Sequence, residues 1–82
     1  ILVYPNPAND FINLKVLNGM IGTNCNIQVI NLIGESVFQE SGIELDGGVK
    51  RIDISSIPRG IYLIKVVSGK GVIAVNRFIK KI

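Results

Sequence analysis

Fifteen Ile and nine Val stand against two Ala in this 82-residue chain. Side chains branched at Cβ are stiff at χ1 and suit the pleated strand better than the helix. The bias predicts an all-β fold, and no stretch offers room for a helix of three turns. Hydrophobic residues form 48% of the chain and charged residues 18%, a balance too apolar for a disordered segment and suited to a packed core. The length accommodates one small domain spanning residues 1–82. No run of about 18 apolar residues occurs, so no membrane-spanning helix is expected.

Along the chain, short alternating runs are separated by turn residues. Ile1 to Tyr4 is a brief strand stopped by Pro5, Asn6 and Pro7; prolines lack the N–H that a central strand needs, which confines this stretch to a sheet edge or a corner. From Phe11 to Leu17, Ile12, Leu14 and Val16 share one face and Asn13 and Lys15 the other. Met20 and Ile21 are expected to plug the loop that follows. A strand from about Cys25 reaches Asn31-Leu32-Ile33-Gly34, whose order suits a type I turn into a hairpin. The return arm, Glu35 to Glu40, carries Val37 inward. Ser41-Gly42 is read as its stop, ahead of a weak segment around Ile43 and Leu45, and Asp46-Gly47-Gly48 as a further turn. Ile52 and Ile54 alternate with Arg51 and Asp53. Tyr62, Ile64 and Val66 then form an inward face, and Ser68-Gly69-Lys70-Gly71 closes a hairpin to a last strand, Val72 to Ile82. About seven antiparallel strands at this spacing predict an immunoglobulin-like β-sandwich.

Composition also removes chemistry. There is no His and no Trp, one Cys and one Thr. Histidine acid–base catalysis, Ser-His and Cys-His pairs and the common zinc ligand sets are therefore excluded. No metal or cofactor is expected, and Cys25 reads as a buried thiol. The carboxylates Asp10, Glu35, Glu40, Glu44, Asp46 and Asp53 show no catalytic or calcium-binding spacing. A net charge of +3, with its cations spread along the chain, is a poor footprint for nucleic acid. Position 1 is Ile rather than Met, and no charged-then-apolar leader precedes Tyr4; the expectation is a piece of a longer protein.

The sharpest local feature is Ile57-Pro58-Arg59-Gly60-Ile61-Tyr62. An apolar plug, a proline turn and a Tyr two residues after Gly match the corner of immunoglobulin-like sandwiches, where the Tyr hydroxyl bonds back to upstream backbone. With Val3-Tyr4-Pro5-Asn6-Pro7, the strand and turn from Ile27 to Gly34, the run Gly60 to Val66, and the basic ending Phe78-Ile79-Lys80-Lys81, the chain resembles the type A C-terminal sorting domain of the type IX (Por) secretion system over essentially its whole length.

The resemblance implies a secretion signal and not a catalyst. Such a domain is joined to an N-terminal cargo, passes through the periplasm, and is read by an outer-membrane translocon, a shuttle protein and a sortase. The sortase removes it upstream of position 1 as cargo reaches the cell surface or the medium. Tyr4, Pro5, Asn6 and Pro7 match the family's opening motif, Gly60 and Tyr62 its Gly-x-Tyr, and Lys80 and Lys81 its basic end. The prolines either shape an edge for docking or simply stop a strand. Gly60 and Tyr62 are expected to act on folding. Arg77, Lys80 and Lys81 are candidates for contact with acidic receptor groups, or else guard an edge strand against aggregation. Free edges also allow a dimer by strand addition. The alternative reading is a non-catalytic immunoglobulin-like spacer or a carbohydrate-binding accessory module, which the scarcity of aromatic residues does not favour.

Overall fold

The computed structural model describes residues 1–15, 22–45, 48–69 and 71–81. Seven strands account for most of them: β1 (Leu2–Tyr4), β2 (Phe11–Lys15), β3 (Gly22–Asn31), β4 (Ser36–Leu45), β5 (Val49–Asp53), β6 (Gly60–Ser68) and β7 (Gly71–Lys80). No helix occurs among the described residues. All strand pairs are antiparallel and form a three-stranded sheet in the order β1-β2-β5 and a four-stranded sheet in the order β4-β3-β6-β7. The expected plug at Met20 and Ile21, the end of the β2 run at Val16 and Leu17, most of the Asp46-Gly47-Gly48 turn, Lys70 and Ile82 lie outside the described residues.

Alternation builds the core. Val3, Ile12, Leu14 and Ile52 come from the three-stranded sheet, and Cys25, Ile27, Val29, Ile43, Leu45, Tyr62, Ile64, Val66 and Phe78 from the four-stranded one. All are buried, and the two inner faces close on each other. Val37 packs against this core from β4, as its position predicts. The sides of the sandwich are clasped as well. Lys50 on β5 meets Glu40 on β4 at 2.9 Å, a half-exposed pair worth at most about 1 kcal/mol. On the opposite side the Asn76 amide donates to the carbonyl of Ile1 at 3.3 Å.

One element differs from expectation. Ser41-Gly42 does not stop a strand; β4 runs through it from Ser36 to Leu45. The register steps from Cys25↔Ile43 to Ile27↔Glu40, so β4 spends one residue more than β3 over the same interval. This is a β-bulge, and Gly42 takes the left-handed conformation it requires, with φ of 69°. A Ser-Gly pair signals positive φ either way. What separates a bulge from a turn is the partner strand, which local pattern does not contain.

Candidate functional site

The register brings distant segments to one end of the sandwich. β3 finishes at Asn31, opposite Tyr62 near the start of β6. Gly60 pairs with Lys80 at the end of β7, and Ala8 forms an isolated bridge to the same Lys80. The N–H of Ile54, just after β5, donates to the carbonyl of Asp10 at 2.9 Å. Residues 5–10, 31–35, 54–60 and 80–81, which include most of the residues singled out from sequence, therefore share one pole. β1 runs towards this pole, so Ile1 lies at its far end.

At the centre of the pole is the corner before β6. The Tyr62 hydroxyl donates to the carbonyl of Pro58, as the spacing predicts. Its ring is buried and stacks on Phe78 with centroids 5.7 Å apart, an arrangement that adds to simple area burial. Ile57 turns inward and is buried, its N–H bonded to the carbonyl of Ile54 at 3.2 Å. Gly60 has φ of 153°, and a Cβ there would stand 3.7 Å from the Tyr62 ring, an ordinary contact. The need for glycine at this position is conformational. Upstream, Ser55 holds Asp53: its N–H donates to Oδ1 at 2.8 Å. Hydrogen bonds from the Ser55 hydroxyl and backbone, with a smaller contribution from Arg51, hold Asp53 below the usual carboxylate range.

The opening motif lies along the outer edge of β7. The Asn6 side chain acts as a short stretch of strand: Oδ1 accepts from the Ile79 N–H at 2.9 Å, and Nδ2 donates to the Arg77 carbonyl at 3.4 Å. Ala8 continues the match, donating to the Ile79 carbonyl and accepting from the Lys81 N–H, both at 2.7 Å. The N–H of Arg77 is taken by the Asn76 side chain at 2.8 Å. Between Arg77 and Lys81 the edge groups of β7 are thus occupied from within the chain, which closes that part of the edge to strand addition. Pro5 and Pro7 flank Asn6, exposed, each after a cis peptide bond. Tyr4 is exposed on the outer side of β1.

The cations separate. Arg77 and Lys81 are exposed, whereas Lys80 is only 3% exposed. Of the three cations singled out as candidates for receptor contact, Lys80 is therefore covered by the fold, and Arg77 and Lys81 are displayed. Its parity matches buried Phe78, and the Ala8 bridge lies alongside it. Sequence reasoning also passed over the tip of the β3–β4 hairpin as a displayed feature. Asn31 Oδ1 accepts from the N–H groups of Ile33 and Glu35, at 3.1 and 2.9 Å, and its amide donates to the Glu35 carboxylate at 2.9 Å. This lattice presents Leu32 and Ile33 at 69% and 79% exposure. Two large apolar residues inside a turn signature were the available signal.

Known proteins decide what this pole belongs to. A family model described as a secretion system C-terminal sorting domain matches residues 2–81. The chain belongs to this family. No curated protein matches it. Sorting domains of this family are the C-terminal signals of type IX secretion, and membership implies export across the outer membrane to the cell surface or the medium. The family is a sorting signal and is not one known for catalysis. No helix among the described residues is long and apolar enough to cross a membrane, and no cluster of three or more potential ligands for a metal ion occurs among them.

Proposed function

We propose that residues 1–82 act as one sorting domain, a substrate and not a catalyst, handed from the periplasm to the outer-membrane translocon and its shuttle protein. A sortase then cuts the chain from cargo joined ahead of Ile1. The observation that supports this most is the match over residues 2–81 taken with the gathering of the motif residues at one pole. Strand order and the Tyr62–Pro58 contact support describing the sandwich as immunoglobulin-like.

Within this reading the motif residues divide by role. Tyr62 and Gly60 set the corner, Asn6 closes the β7 edge, and Pro5 and Pro7 hold the segment that carries Asn6. Arg77 and Lys81 face the receptor, where exposed charge tunes rate and specificity more than affinity, while Lys80 is tied into the fold. Cargo joined ahead of Ile1 enters at the far end of β1, leaving the motif pole accessible.

The test is a reporter enzyme with an N-terminal export signal, fused ahead of Ile1 and expressed in a bacterium with a working type IX system. The intact domain delivers the reporter to the surface or the medium. Deleting Val72 to Ile82 leaves it in the periplasm. Equal delivery by both fusions would end the proposal.

A further inference from the structure

The two outer faces of the sandwich are patterned differently. On the three-stranded sheet each cross-strand row mixes apolar and polar residues: Leu2, Lys15 and Val49 in one, Tyr4, Asn13 and Arg51 in the next. In the last, Phe11 stands opposite Asp53, and the Arg51 guanidinium covers its ring at 3.6 Å from the centroid. No two apolar side chains are directly opposed there. On the four-stranded sheet Ile61 opposes Ile79, and Ile30 opposes Leu63. Ile61 and Ile79 are 40% and 41% exposed, and Ile30 and Leu63 are half-buried. Leu63 pairs on its other side with Arg77, and the next row holds Lys65. None of these rows of the four-stranded sheet contains a carboxylate.

Adjacent apolar pairs left open on a rigid sheet, with cations at their margin, have the composition of an interface core and its rim. We infer that the outer face of β3, β6 and β7 around Ile61, Ile79, Ile30 and Leu63 is the docking face for a protein of the export machinery that presents apolar side chains bordered by carboxylates. The inference rests on the sorting reading and adds to it the place and the chemistry of contact. Charge complementarity selects the carboxylate border: Arg77 and Lys65 stand beside the apolar rows with no acidic residue among them. A lipid surface fits less well. The rows contain no aromatic residue to sit at headgroup depth, and a flat sheet face does not insert as an amphipathic helix does. The edge beside Ile79 is already closed by Asn6 and Ala8, so the partner meets side chains here and does not add a strand.

Three fusions to the reporter test this: Ile61→Thr/Ile79→Thr, Arg77→Glu, and Val49→Thr on the opposite face as the control. Thr keeps the β-branched shape, so the strands are retained. The ratio of surface and medium reporter to periplasmic reporter falls about tenfold or more for the double variant and severalfold for Arg77→Glu. It is unchanged for Val49→Thr. The purified variants melt within about 4 °C of the parent. Delivery by the double variant equal to the parent overturns the docking face and leaves the sorting reading standing. A parent fusion that never leaves the periplasm overturns the sorting reading and this inference with it. Pelleting of the parent domain, but not the double variant, with vesicles of phosphatidylcholine and phosphatidylglycerol would assign the face to lipid instead. A parent dimer in sedimentation that the double variant dissolves would assign it to a second copy; either result overturns the inference.

Discussion

The β6–β7 ladder presents two neighbouring cross-strand pairs with opposite fates. Tyr62 and Phe78 point inward, stack, and are buried; Ile61 and Ile79, one register step away, point outward and stay open. The same two strands thus build the sandwich with one row and display a surface with the next. Chemistry sets them apart less than neighbours do. The inner row is covered by the opposite sheet, whereas Ile61 and Ile79 stay 40% and 41% exposed. A buried pair changes export by changing how much protein is folded. An exposed pair changes export at constant stability.

Breaking the inner pair gives the largest expected effect. Phe78→Ala empties a fully buried site and is expected to cost about 3–5 kcal/mol in urea unfolding, a large part of the stability of a domain this small. Tyr62→Phe keeps the ring and removes only the hydroxyl bonded to Pro58; about 1–1.5 kcal/mol is expected for the loss of this part-buried hydrogen bond. Should Tyr62→Phe prove neutral, the corner would count as packing alone. Gly60→Ala is expected to cost about 1–2 kcal/mol through its φ of 153°, with no added clash. Asn31→Ala loosens the hairpin tip by about 1 kcal/mol, visible as faster amide exchange at Ile33 and Glu35.

The smallest effect is one of pH. Asp53 is held below the usual carboxylate range, so its contribution is present above the unfolded carboxylate value of about 4 and is lost as pH falls through the lower folded value. The urea midpoints of the parent and of Ser55→Ala should therefore differ at neutral pH and converge in acid. A gap that persists after Asp53 is protonated would show that Ser55 acts by some other contact.

Much of this architecture was legible from residue order. The inward sets Ile12 and Leu14, Ile52 and Ile54, and Tyr62, Ile64 and Val66 follow from period-two alternation, and the corner follows from its spacing. What escaped is non-local. Asn6 meets Ile79 across 73 residues, and nothing near Asn6 announces a strand edge waiting for its amide. Lys80 shares the parity of Phe78, but a lysine is so seldom buried that composition argues against its own alternation. Gly42 marks positive φ without saying whether the chain turns or bulges. The apolar outer rows become visible only once β3, β6 and β7 are placed side by side.

The most direct measurement is the surface fraction of the reporter fused to the Tyr62→Ala/Phe78→Ala chain, which keeps Tyr4 to Pro7, Arg77, Lys80 and Lys81 but removes the two stacked rings from the core. If the export machinery reads the assembled sheet face, this reporter stays in the periplasm as completely as one lacking Val72 to Ile82. Delivery at the parent level by a domain whose circular dichroism shows it unfolded would mean that a linear stretch of sequence, and not the sandwich, carries the address.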